Sequence, residues 1–305
     1  MGRFIKRISI FFGLLIFISY PISVFISKNF NTYTKQNWIL QTKGRTFDYA
    51  ALGSSRVANI IDINTIDGIC GTQGINIGTS GSNYAENLYL LDNFIKRNKI
   101  NHIILNVDEF SFNSKKSFGG YTFHYFEFLQ NLGNNEYAEI FKDYIPNWKY
   151  YLYKTVPITK YLEFNDRYTL KTHNKPALDK NKGTNLKNNS DNAVILSKKR
   201  HIGIDSLDVK YFNRILKLCN KNDINVILCT TPIHSKPNPN STYLKYIKEN
   251  SMTQTFDYYS YSEIFAFTNQ AYFNDATHTN IIGSLEYSKN LGEKLKQSLT
   301  KPKQH

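Results

Sequence analysis

Cysteine is scarce in this chain. It has three in 305 residues, Cys70, Cys219 and Cys229, and their spacing matches no metal-ligand pattern. A disulfide framework is not expected, even for an exported domain. Cys219 falls on a helical pattern and Cys229 inside an apolar strand pattern, the positions of small buried hydrophobes. Long basic runs are also missing: no stretch carries five or six consecutive Lys or Arg, and no zinc-finger or helix-turn-helix signature occurs, which excludes the common nucleic-acid-binding designs. No internal repeat is visible, which excludes a repeat array. Acidic residues are in deficit, 24 against 38 basic ones, for a formal charge of +14. The excess is diffuse and favours an anionic surface or polymer: nucleic acid, anionic lipid or an acidic glycan. Aromatics, by contrast, are plentiful at 15%, with 22 Tyr and 21 Phe. They serve core and interface packing first, with sugar stacking as an open alternative.

Ile8–Ile26 (ISIFFGLLIFISYPISVFI) is almost wholly apolar. Its length falls within the roughly 17–25 residues that cross the hydrocarbon core. Arg3, Lys6 and Arg7 precede it and Lys28 follows, so the denser positive flank is expected in the cytoplasm and residues 29–305 outside it. Pro21 is compatible with a membrane helix. No A-x-A cleavage site precedes Lys28, and an uncleaved signal anchor over 1–28 is expected rather than a removed signal peptide. That placement argues against a nucleic-acid partner. Residues 29–46 are polar with scattered aromatics and read as a juxtamembrane linker, with Trp38 either near the membrane surface or packed on the domain that follows.

From residue 47 to the C-terminus the chain reads as one α/β domain with an insertion. Phe47–Leu52 is a short apolar run that stops at Gly53-Ser54-Ser55-Arg56, the pattern of a buried strand ending in a tight turn. A helix is expected to start near Arg56 and to give way to a loop before Gly68. Ile75–Ile77 is a second strand and runs into the glycine- and hydroxyl-rich loop Gly78–Ser82. Asn83 caps a helix with Tyr84, Leu88, Leu91 and Ile95 on one face. Residues 101–107 form a third strand. Strand, helix and strand in this order predict a parallel sheet with right-handed crossovers. Between about 110 and 200 the pattern breaks. Residues 110–178 read as a partly helical insertion that covers the site, and 179–192 (DKNKGTNLKNNSDN) as a mobile loop. The pattern resumes with a helix capped by Asp205, a strand over 225–230 and the loop Thr231-Pro232-Ile233-His234. A helix over Thr242–Glu249, a short strand at 255–258 and a helix over about 280–299 complete the chain.

A parallel sheet puts the C-terminal ends of its strands on one edge, where such sheets bind ligands. That edge would collect Ser54 and Ser55, the Gly78–Ser82 loop, Asp108, His234 and the turn Asp275-Ala276-Thr277-His278. A serine at the first turn needs a base for attack on an acyl carbon. His278 can take its proton, while Asp275, on the same turn, orients the imidazole and stabilises its cation. The oxyanion needs preorganised donors, and the backbone N–H groups of Ser55 and Gly78 are candidates. Arg56, Asp108 and His234 are candidate substrate contacts. No metal and no cofactor are expected.

Three blocks, Gly53-Ser54-Ser55-Arg56, residues 76–83 (NIGTSGSN) and residues 273–278 (FNDATH), resemble those of the SGNH (GDSL-like) hydrolase superfamily. The resemblance is to its membrane-anchored branch, which includes the D-alanyl transfer protein of teichoic acids and the alginate O-acetylation proteins and has Gly-Ser-Ser in place of Gly-Asp-Ser. The resemblance covers about 47–110 and 205–298. It implies a flavodoxin-like three-layer α/β/α fold, Ser55 as nucleophile with Ser54 replacing the aspartate, Gly78 as an oxyanion donor, and Asp275 and His278 as triad partners. The superfamily's third block carries Gly-x-Asn-Asp, whereas this chain reads Asn106-Val107-Asp108-Glu109. Asn106 is displaced, and only two oxyanion donors are expected. The implied activity is serine-dependent acyl transfer or ester hydrolysis, of an acetyl group most plausibly, on a cell-surface glycan. The implied partner is a membrane-bound O-acyltransferase. A non-catalytic glycan-binding or assembly scaffold of the same fold is the rival expectation.

Overall fold

The computed structural model describes residues 1–31, 34–107, 112, 135–159, 169–170, 176–188, 204–234, 245–247, 249, 256–259 and 270–300. The chain divides into two compact units, one of Trp38–Gly120 with Asn174–His305, the other of Met1–Asn37 with Tyr121–His173. Helix α1 spans Gly2–Asn29, followed by strand β1 (Phe30–Asn31) and α2 (Thr34–Gln41). Next come β2 (Thr46–Leu52), α3 (Ser55–Ile60), α4 (Ile63–Cys70), β3 (Gly74–Asn76), α5 (Tyr84–Ile95) and β4 (Lys99–Asn106). The middle of the chain contributes α6 (Asn135–Tyr144), α7 (Asn147–Thr155), β5 (Thr169–Leu170) and α8 (Pro176–Lys180). The last elements are α9 (Ser206–Lys221), β6 (Asn225–Cys229), β7 (Phe256–Tyr259) and α10 (Ile281–Thr300).

The larger unit is a three-layer α/β structure around a parallel sheet in the order β3-β2-β4-β6-β7. Ala51, Ile104 and Ile227 lie in register across it. With Tyr49 and Cys229 they form one buried face, packed against Val57, Ile60, Ile66, Tyr287, Leu291 and Leu295 of α3, α4 and α10. The alternate residues Ala50, Leu52, Ile103, Leu105 and Leu228 are buried as well. On that side α5 and α9 pack together, with Tyr84 and Phe212 ring centroids 5.3 Å apart. Burial of both faces explains why these strands read as continuous apolar runs without alternation. The expected caps form. Asn83 Oδ1 accepts from the Glu86 N–H at 3.0 Å and Glu86 Oε2 from the Asn83 N–H at 2.6 Å, a capping box on α5. Asp205 Oδ1 accepts from the Leu207 N–H at 2.7 Å.

Helix α10 lies close against α3 and α4 because its facing side chains are small. Ser284 Oγ donates to the Asn59 carbonyl (3.2 Å) and Ser288 Oγ to the Ile60 carbonyl (3.1 Å), while Ser288 Oγ accepts from the Asp62 N–H (2.8 Å). One turn on, a Cβ on Gly292 would stand 3.1 Å from Ile69 Cδ1. Ser284 and Ser288 therefore satisfy backbone groups where α3 gives way to α4, and Gly292 leaves room for Ile69.

Three expectations need correction. The region after Ser55 is two helices, separated at Ile61-Asp62, because Asp62 Oδ2 accepts from the Thr65 N–H at 3.0 Å and restarts the helix. The stretch 29–46 is not a polar linker throughout: Thr34–Gln41 is helical, and Ile39 and Trp38 are buried. The Trp38 indole N–H donates to Asp179 Oδ1 at 2.9 Å, so Trp38 packs on the domain. Finally, 179–188 is a docked segment. The Lys182 carbonyl accepts from the Asn76 N–H on edge strand β3 (2.8 Å), and the Asn185 N–H donates to the Ala58 carbonyl (2.9 Å). Thr184 Oγ1 bridges the Ile61 carbonyl and the Ile63 N–H at 3.2 Å each. Polar composition suggested mobility, but an open sheet edge needs backbone partners and this segment supplies one. The remainder of the 179–192 loop and half of the helix expected over Thr242–Glu249 (242–244 and 248) lie outside the described residues.

In the smaller unit α1 runs unbroken through Pro21. Gly2–Ile26 is long and apolar enough to cross a membrane or to be a signal sequence. Phe4, Ile5, Phe11, Phe17 and Phe25 are each more than half exposed. Strand β1 pairs antiparallel with β5, Phe30 opposite Leu170 and Asn31 opposite Thr169. Helices α6 and α7 agree with a partly helical insertion.

Candidate active site

The nucleophile candidate sits where β2 ends. Gly53 allows the turn because a Cβ there would lie 2.5 Å from Val57 Cγ2 and 3.0 Å from Asn106 Cβ, so only a residue without one fits. Ser54 is the cap of α3: its Oγ accepts from the Arg56 N–H at 3.4 Å and its carbonyl from the Val57 and Ala58 N–H groups at 3.0 and 3.1 Å. Ser55 is the first helical residue, and its hydroxyl is 2.9 Å from His278 Nε2.

The other half of the site is a turn built by Asp275. Its Oδ1 accepts from the Thr277 N–H (2.8 Å), the His278 N–H (2.9 Å) and the Thr277 hydroxyl (2.9 Å). Oδ2 is then 2.9 Å from His278 Nδ1. Because the carboxylate accepts the Nδ1 proton, Nε2 is left to accept the Ser55 hydroxyl proton. Burial tends to raise the Asp275 pKa, but hydrogen bonds from the His278 ring and the Thr277 N–H outweigh it and hold the carboxyl well below the usual carboxylate range. The His278 side chain is 18% exposed and that of Asp275 51%. The base is thus sheltered and its orienting group wet.

A circuit of hydrogen bonds holds the two halves together. The Arg56 guanidinium, 4% exposed, donates through Nη2 to the carbonyls of Thr231 and, at 3.3 Å, Pro232. Three residues on, the His234 N–H donates to the Ala276 carbonyl at 3.0 Å inside the Asp275–His278 turn. The His234 ring stacks on Phe273 with centroids 5.1 Å apart. The Tyr287 hydroxyl ties α10 to the Thr230 carbonyl at 2.8 Å.

Ser55, Asp275 and His278, chosen from sequence, therefore meet. The remaining candidates separate. Arg56 points into the protein and braces the β6 loop, so its position does not suit a substrate contact. His234 supports the Asp275–His278 turn. Asp108 lies outside the described residues. The Gly78 N–H is already spent on Asn76 Oδ1 at 3.1 Å, so it is no oxyanion donor. Asn76 is locked in that role by donating Nδ2 to the Val57 and Ile61 carbonyls (2.8 and 3.0 Å). Asn106 ends β4 beside the nucleophile turn, and its Oδ1 accepts from the Thr231 N–H at 3.1 Å. The N–H groups of Ser55 and of Gly81, whose φ is +71°, have no acceptor among the described residues. Gly81 stands on the loop that Thr79 and Ser82 tie to the Gly53 carbonyl at 2.9 and 3.0 Å. Sequence reasoning missed Gly81, Thr277 and the serine ladder of α10. A glycine between serines, a hydroxyl inside Asp-x-x-His and serines four apart were the available signals.

No known family model matches the chain, and no curated protein matches it in sequence. Several solved structures match it, two of which follow. A provisionally named acylhydrolase from Bacteroides fragilis shares 13% identity at a TM-score of 0.40, over 88% of this chain and 95% of its own. A protein from Streptococcus pneumonia, provisionally named as a platelet activating factor, shares 10% identity at a TM-score of 0.42, over 96% and 98%.

Proposed function

We propose that the chain is a membrane-anchored serine O-acyltransferase or esterase. The observation that carries this reading is the continuous relay from Ser55 Oγ to His278 Nε2 (2.9 Å) and from His278 Nδ1 to Asp275 Oδ2 (2.9 Å). Ser55 Oγ attacks the acyl carbon of an ester as His278 Nε2 takes its proton. The N–H groups of Ser55 and Gly81 receive the oxyanion. His278 returns the proton to the departing alkoxide, leaving acyl-Ser55. A sugar hydroxyl or water, deprotonated in turn by His278, then takes the acyl group and restores the serine. The membrane-anchored SGNH-like blocks support acetyl transfer onto a cell-surface glycan, with a membrane-bound O-acyltransferase as donor partner. The apolar helix supports an extracytoplasmic site on a single-pass protein, and the charge of +14 supports an anionic glycan or headgroup nearby.

The test is a fluorophosphonate probe on the full-length chain in detergent, read by intact mass and peptide mapping. One adduct on Ser55 is expected, absent in both Ser55→Ala and His278→Ala. A folded protein that takes no label sinks the catalytic reading and leaves a scaffold. An adduct on Ser54 moves the nucleophile.

A further inference from the structure

Helix α7 presents two unlike faces. Tyr150 and Tyr153 are buried at 4% and 1%, whereas Trp148, Tyr151 and Leu152 stand out at 63%, 56% and 37%. Positions 148, 151 and 152 share one face at helical spacing. Lys149 and Lys154 flank them, and the helix has no acidic residue. The ammonium of Lys149 lies 5.6 Å from the Trp148 ring centroid. An apolar face of Trp, Tyr and Leu with lysines at its margin is the composition of a helix lying in a membrane interface. There the rings sit at headgroup depth and lysine stems reach back to anionic phosphates.

The connectivity of the unit bears on where such a surface would be. α7 belongs to the same compact unit as α1. The apolar span ends at Ile26, and the β1–β5 pairing begins at Phe30. Four helical residues rise about 6 Å, which is the thickness of one headgroup layer. If α1 spans the bilayer, the β pairing starts within the headgroups, which brings the unit that holds α7 to the lipid surface.

We infer that α7 is an interfacial helix, its Trp148-Tyr151-Leu152 face set into the lipid surface in which α1 is seated. This rests on the anchor reading of α1. The chain has two tryptophans, and Trp38 is buried in the other unit, so the difference between native protein and Trp148→Phe reports Trp148 alone. The full-length protein is reconstituted into vesicles of phosphatidylcholine with one part in four phosphatidylglycerol, with or without bromine on the upper acyl chain. Flotation reads the anchor and bromine quenching reads α7. Expected are flotation resistant to carbonate and loss of most of the Trp148 intensity in brominated vesicles. Quenching should weaken when Tyr151→Asp and Leu152→Asp are introduced together, with flotation unchanged. Protein that floats with Trp148 unquenched overturns the interfacial helix and spares the anchor. A blue-shifted but unquenched Trp148 also overturns it, because a protein surface then covers the face. Protein that fails to float overturns both.

Discussion

The two compact units place their aromatic residues differently, although Tyr150 and Tyr153 of the smaller one are buried too. Around the sheet, Tyr49, Tyr84, Phe94, Phe112, Phe212 and Tyr287 are all at or below 1% exposure. In the other unit Trp148 and Tyr151 are exposed, and the phenylalanines of α1 stand outward along its length. The first arrangement is a core closed against water, where packing keeps the Ser55–His278 distance fixed. The second leaves apolar rings against solvent, an arrangement that favours contact with an apolar phase or a protein surface. The lesson is that aromatic content, read over the whole chain, averages two unlike arrangements.

Breaking the core should have the largest effect. Leu291 is fully buried in the cluster between α10, α3 and α4. Leu291→Ala should cost about 2–5 kcal/mol of stability in urea melts in detergent, whereas Tyr151→Ser on α7 should leave the midpoint within about 0.5 kcal/mol. Equal losses at the two sites would erase the contrast between the units.

Next comes Asp275→Asn. The amide no longer sets the His278 tautomer, and fluorophosphonate labelling should slow about 100-fold, or roughly 2.7 kcal/mol in the barrier. The exposure of Asp275 lets water stand in partly, which is why a larger loss is not expected. The same variant tests stability against pH. The Asp275 pKa is lowered in the folded protein relative to its ordinary 3.8, so the unfolded chain binds its proton first. Its stabilising contribution is therefore fully present above about pH 4 and is lost as pH falls through the lower folded value. The melting difference between native protein and Asp275→Asn should shrink progressively below pH 4, and one that is flat to pH 2 contradicts the assignment.

The smaller effect on labelling belongs to the brace. Arg56→Lys keeps the charge but not the reach to both the Thr231 and Pro232 carbonyls. Labelling should slow about 10-fold, or 1.4 kcal/mol, with less than that lost in overall stability. A variant as fast as native would show that the β6 loop holds the Asp275–His278 turn unaided.

Much of the fold was legible because each sheet strand carries its own punctuation. Gly53 ends β2, Asn83 and Asp205 cap the helices that follow their turns, and a buried parallel strand leaves a run of β-branched and apolar residues. Asp275 and His278 were legible because the carboxylate that builds the turn and the imidazole it orients are three residues apart. The docked segment 179–188 was not, since its composition is polar and its partner, the edge of β3, lies a hundred residues away. Gly78 misled for a related reason. Its N–H is consumed by Asn76, two residues earlier, whose side chain is held by carbonyls of α3 and the turn after it.

By itself, then, the sequence determined the alternation of elements, the apolar first helix, and which residue types could form a serine relay. Those follow from local backbone preference and from hydrophobic period, which need no distant partner. Only the tertiary structure decided that Ser55 and His278, 223 positions apart, stand 2.9 Å from each other. It also decided that Arg56 faces inward and that the Gly78 N–H is occupied. Such outcomes depend on which donor meets which acceptor when α10 seats its serine ladder on α3 and α4, and no local pattern records that pairing.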